Sequence, residues 1–271
     1  METIPSRRTE PERPPFPWKI FWLLLFASVA GVAAVLPYIF SLSPKLISGA
    51  GPLPMPLPVL IAVQLMQSTI VFAALIIIGL VVARRVEIEL PLLQWWFYRK
   101  GNGVLRNSFR EPILSGIAVA GFSLLVFYTI FLSRIPEWPI AAEAALPVWK
   151  RFLACFYGAI NEEVLARLFF FSLILWVLRK IVGQKSGRSG RVVFWAANLI
   201  VAVLFALAHI PSAKLLMPIT PLVITALLTI NGVASLLFGY LCWKRGLEAA
   251  MIAHFCADFT LHLVGPMFFR G

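Results

Sequence analysis

Three short stretches of this chain place ionisable side chains inside apolar sequence. NEEVLARLFFF holds Glu162, Glu163 and Arg167, FALAHIP holds Phe205 and His209, and AHFCADF holds His254 and Asp258. An ionisable group near the centre of a bilayer costs about 2.5 kcal/mol or more on insertion scales, so each one needs a partner or a function. Residues four apart on a helix share a face, whereas adjacent residues point about 100° apart. Glu163 and Arg167 are therefore expected to pair within one helix, with substrate-carboxylate binding by Arg167 as the alternative. Glu162 is turned off that face and needs a partner from another helix. His254 and Asp258 share a face at the same interval. Glu162, His209, His254 and Asp258 are thus expected to converge from three helices.

A carboxylate within hydrogen-bond reach of a water molecule can act as a general base. A histidine can share that water and then donate to the leaving group, and a second histidine, its ring fixed by Asp258, can donate to the oxyanion of a tetrahedral intermediate. That is the equipment for peptide-bond hydrolysis. Glu162, His209 and His254 could instead ligate Zn²⁺ or another divalent metal and generate hydroxide. No HExxH occurs in the chain, so such a site would have to be assembled from separate helices. Taken singly, an intramembrane His or Asp is often only a helix-to-helix hydrogen-bond partner worth about 1 kcal/mol. The gathering of these groups into three compact patches argues for more than that. His262, two turns beyond His254 with no matching acid, is assigned to structure, and Glu248 to the membrane interface or to a helix start where its charge favours the dipole.

The elements that must position these residues are membrane helices. Of the 271 residues 60% are hydrophobic and 13% charged, and the mean hydropathy is +0.88, which excludes an ordinary soluble protein. Apolar runs predict an all-α, polytopic transmembrane bundle of about seven spans, at 20–40, 57–82, 112–132, 148–178, 192–209, 221–243 and 247–266. Residues 1–19 read as a disordered, basic, proline-rich tail, 20–145 as amino-terminal membrane helices with the interfacial segment VEIELPLLQWWFYRKGNGVLRNSF, and 146–271 as the catalytic membrane core. The first apolar run lacks a clear cleavage site and reads as a retained span.

The net charge of +12 is a topology signal, and no basic groove interleaved with stacking aromatics speaks for nucleic acid. Lys and Arg crowd the tail and the 83–111, 179–191 and 244–245 connections, whereas the alternate connections carry few. The amino terminus is accordingly expected in the cytoplasm of a multi-pass plasma (inner) membrane protein. Trp18, Trp22, Trp149, Trp176, Trp195 and Trp243 fall near predicted span ends, where indole rings prefer the headgroup level. Cys155, Cys242 and Cys256 are odd in number, widely spaced and embedded in apolar sequence, and read as small buried hydrophobes.

The three patches, written EExxxR (Glu162, Glu163, Arg167), FxxxH (Phe205, His209) and HxxxD (His254, Asp258), resemble the CAAX protease and bacteriocin-processing family (CPBP, or Abi). This family of intramembrane endopeptidases includes the type II CAAX prenyl endopeptidase, or Ras-converting enzyme. The resemblance covers roughly the last 125 residues. It implies a membrane protease, described for this family as glutamate-type or metal-dependent, in which Glu162 and His209 activate water and His254 and Asp258 stabilise the oxyanion. The implied substrate is a membrane-embedded or lipid-anchored protein or peptide, processed at a CAAX-type end or a sorting tail. One departure stands out: the prenyl-protein branch usually carries Asn at the position of Asp258, and an ionised Asp can accept hydrogen bonds but not donate them. The competing expectation is a non-catalytic bacteriocin-immunity or scaffold protein of the same fold. A proton-coupled transporter is disfavoured because no matched pair of broken apolar segments is visible.

Overall fold

The structure is a computed structural model that describes residues 15–42, 56–99, 109–183 and 190–268. Most of the expected tail and part of the expected interfacial segment lie outside the described residues. Six helices are long and apolar enough to cross a membrane. They begin with α1 (Trp18–Leu42) and α2 (Leu57–Arg85). After the short α3 (Pro91–Tyr98), α4 (Arg110–Val126) runs on through a wide turn to Phe131. The others are α8 (Arg191–Leu207) with its continuation α9 (Ile210–Leu216), α10 (Pro221–Arg245), and α11 (Leu247–Phe259) with its tail to Phe268. Only 28 to 44% of these spans is buried, although they are apolar all round. Phe26, Ile70, Leu125 and Val192 point outward, which a helix tolerates when lipid is the solvent. No strand occurs among the described residues. The protein is a multi-pass helical membrane bundle.

The expected fourth span is helical throughout but not as one regular helix. After the short α5 (Ile140–Ala144), α6 (Val148–Phe156) gives way to π turns at Tyr157–Glu162 and Val164–Phe171 before α7 (Ser172–Ile181). All three ionisable residues of the first motif lie in or between these turns. Pi turns occur mostly as short interruptions and frequently at functional sites.

The basic connections gather at one end of the bundle. There the Leu247 amide donates to the Glu89 carbonyl and Arg245 pairs with Glu111 at 2.7 Å. Arg179 donates to the carbonyls of Arg85 and Val86 at 3.3 and 3.4 Å. Glu248 is buried here, and its carboxylate accepts from the Leu93 amide at 3.0 Å. It therefore serves the start of α3, not only the dipole of its own helix. A side chain at Gly116 would collide with the Ala253 carbonyl. Glycine there lets α4 approach α11 backbone to backbone, one residue before His254.

Candidate active site

His209 takes its orientation from the way α8 ends. The last turn tightens so that the His209 amide bonds to the Ala206 carbonyl at 3.2 Å, and Pro211 follows. The carbonyl of Phe205 is left for the imidazole, whose Nδ1 donates to it at 2.8 Å. A carbonyl oxygen can only accept, so Nδ1 carries a proton. In the neutral ring Nε2 is then a bare acceptor, and His209 lines the cavity described below. Phe205 packs edge-on against the ring at a centroid distance of 4.9 Å.

The π turns bring Glu162 and Glu163 to the same imidazole from two sides. Glu163 Oε1 accepts from His254 Nδ1 at 2.8 Å, while Glu162 Oε2 lies 3.7 Å from Nε2. Asp258 Oδ1 stands 3.5 Å from that same Nε2. The expectation that Asp258 fixes the His254 ring is therefore corrected, because Glu163 does so through Nδ1 and Asp258 shares the Nε2 side with Glu162.

Glu163 and Arg167 do pair, with Nε 3.3 Å from Oε2 and both side chains fully buried. Arg167 Nη2 also donates to the Ser235 carbonyl and hydroxyl, each at 3.0 Å. Its guanidinium lies 5.2 Å over the Phe205 ring and 5.8 Å over Phe238, and Phe238 in turn stacks on His254 at 4.6 Å. A guanidinium enclosed in this way is out of reach of a substrate carboxylate. Arg167 thus neutralises Glu163, which holds His254, and the stack holds the ring plane.

These groups face a cavity of about 380 Å³ lined by Glu162, His209, His254 and Asp258, and also by Tyr38, Glu143, Asn231 and His262. His262 has a matching acid after all. Its Nδ1 bonds to Glu143, which also accepts from the Tyr38 hydroxyl at 2.9 Å. The sequence separation of 119 residues hid this pair. Burial opposes ionisation of Glu143, but the charge and hydrogen bond of His262, the Tyr38 hydroxyl and the Arg151 charge outweigh it, and its carboxyl lies below the usual range. The cavity sits in the half of the bundle away from the basic connections, walled by the end of α1, the end of α4, the α5 segment and α9.

Gly158 makes room for the acid on α11. A Cβ there would overlap Asp258 Oδ2 and approach His254 Nε2 to 3.1 Å. Gly158→Ala is expected to push Asp258 out of place, at a cost of about 1–3 kcal/mol in stability. Cleavage is expected to fall by at least about tenfold, the change a barrier increase near 1.4 kcal/mol brings. Thermal unfolding and peptide cleavage by the purified variant measure the two effects, and unchanged cleavage would show that Asp258 has slack.

Among the described residues no three His, Cys, Asp or Glu side chains come together as a ligand set for a metal ion. Both histidines bind the protein through Nδ1 and leave Nε2 free, and Glu162 and Asp258 stand 3.7 and 3.5 Å from His254 Nε2. The chemistry below is derived from side chains and water.

Fold and cavity together define a multi-pass membrane protein with a carboxylate and imidazole site enclosed between its helices. Residues 144–260 match the family described as type II CAAX prenyl endopeptidase Rce1-like. The match covers less than half of the chain, and it makes the carboxy-terminal part similar to a family of CAAX-type membrane endopeptidases. Comparisons with the curated proteins and with the solved structures gave no match.

Proposed function

We propose that the cavity is the active site of a membrane endopeptidase of the glutamate type. The observation that carries this reading is the placement of Glu162 in the cavity, 3.7 Å from His254 Nε2 and making no close bond of its own. Glu162 takes a proton from a water molecule, and the bare Nε2 of His209 accepts its other hydrogen and aligns it. The water oxygen attacks the peptide carbonyl. His254 is held through Nδ1 by Glu163, and in its doubly protonated form its Nε2–H donates to the oxyanion. The proton held by Glu162 then passes to the leaving nitrogen.

The basic connections are assigned to the cytoplasmic side of the plasma membrane, with the amino terminus, so the cavity opens toward the outer half. The substrate we infer is a membrane-embedded or lipid-anchored protein or peptide approached from that side, as at a sorting tail. The carboxy-terminal membrane core from about residue 146 carries the chemistry, and the amino-terminal helices supply its walls.

The test is cleavage of a membrane-tethered peptide by protein purified into liposomes of defined orientation, with products read by mass spectrometry. Cleavage is expected to survive a chelator and to drop in His209→Ala. A cysteine introduced at Ser212 is expected to react with an impermeant reagent from the outer side. Inactivity of the wild type on every tethered peptide would favour the scaffold reading, and labelling of position 212 from the cytoplasmic side alone would reverse the orientation.

A further inference from the structure

The structure assigns to Asn231 a part in the reaction: we propose that its carboxamide N–H is a second hydrogen-bond donor to the oxyanion. This rests on the hydrolytic reading of the cavity.

Three asparagines lie within the spans, and two are committed. Asn161 donates to the Ser28 carbonyl at 2.8 Å and Asn198 to the Leu236 carbonyl at 2.9 Å. Asn231 makes no hydrogen bond among the described residues. The other polar side chains of the middle of α10 are also occupied: Thr225 and Thr229 bond to carbonyls one turn back, and Ser235 takes Arg167. An amide left free in a membrane helix is costly unless something else uses it.

Its position says what that is. Asn231, Ser235 and Phe238 fall at helical intervals on one face of α10, and this face meets Arg167 and His254 through its other two members. Asn231 lines the main cavity together with His209, His254 and Asp258. It also lines a smaller adjoining space of about 30 Å³ beside His254 and Asp258.

The reaction lacks a donor at this place. Glu162 and Asp258 can only accept when ionised, and neutral His209 presents a bare Nε2. His254 gives one N–H when doubly protonated. As the water oxygen bonds to the carbonyl carbon, the carbonyl π pair moves onto oxygen and the water proton moves to Glu162. The Asn231 Nδ2–H and the His254 Nε2–H then meet the new negative charge together. Breakage of the C–N bond, with the proton passing to the leaving nitrogen, restores the carbonyl. An amide aimed at the oxyanion does more in the transition state than toward the neutral carbonyl, so its loss falls on kcat.

The experiment uses purified protein in liposomes and compares Asn231→Ala, Asn231→Leu and the isosteric Asn231→Asp. Each is expected to lower kcat about 10²- to 10³-fold with KM changed less than about threefold. A peptide phosphonamidate, whose tetrahedral anion mimics the intermediate, is expected to bind weaker by a similar factor. Asn231→Leu is expected to unfold at the same or a higher temperature, because no bond is lost and an unpaired amide is removed from the interior of the bundle. A merely structural role predicts the reverse, a lower unfolding temperature with kcat retained. Wild-type kcat in these variants, with Glu162→Gln inactive, overturns the assignment and leaves the hydrolytic reading intact. Activity in both Asn231→Leu and Glu162→Gln removes the hydrolytic reading itself.

Discussion

Glu162→Gln is expected to lower peptide cleavage by about 10²- to 10⁴-fold, the usual contribution of a positioned general base. Glutamine keeps the volume and polarity of the side chain but cannot take up a proton at neutral pH. The Glu162 side chain is 25% exposed to the cavity and stands 3.7 Å from its nearest imidazole nitrogen, so little packing or bonding is lost with its charge. The unfolding temperature should consequently move little. Single-turnover cleavage in liposomes, beside thermal unfolding of the same preparation, separates the two quantities. Undiminished cleavage by a folded Glu162→Gln protein would end the proposed mechanism.

Arg167→Met is expected to destabilise the protein by about 3–5 kcal/mol, the cost of leaving a buried carboxylate without its cation. Its partner Glu163 is completely buried and retains only the His254 hydrogen bond once the guanidinium is gone. The double replacement Glu163→Leu with Arg167→Met removes both charges, and much of the lost stability should return. Activity should not return with it, because His254 Nδ1 then has no acceptor to hold the ring. Thermal unfolding in detergent and cleavage assays on the single and double variants report this split. A double variant as unstable as the single one would show that Glu163 and Arg167 do not compensate each other.

The helices were legible because lipid imposes a plain code, in which apolar runs near 20 residues span and basic residues collect between them. Glu162, His209, His254 and Asp258 were legible for the converse reason, as costly groups placed inside those runs. What spacing could not supply was the partner of the His254 ring. The four-residue rule points from His254 to Asp258, which does stand 3.5 Å from Nε2, but it is silent about other helices, and Glu163 reaches Nδ1 from 91 residues away. The Glu143–His262 pair escaped notice because its acid lies in a connection 119 residues away. Asn231 carries no charge and so gives no signal on a scale that weighs only ionisable groups. Its one clue is positional, four residues before Ser235 and seven before Phe238 in an otherwise apolar helix.

The wide turns between Tyr157 and Phe171 also determine how this chain can vary. A π turn accommodates surplus residues that a regular helix would exclude. Deleting one residue from this stretch would let the helix relax to ordinary geometry and fit the membrane as well as before. It would also turn the residues on one side of the deletion by about 100° relative to those on the other, and carry the acids away from the imidazole they now flank. Length tolerance and chemical tolerance are therefore uncoupled here: the stretch can lose a residue as a membrane span but not as a holder of the acid. In this part of the chain reading frame along the helix axis is itself a functional variable, and single-residue deletions should be silent for insertion and severe for turnover.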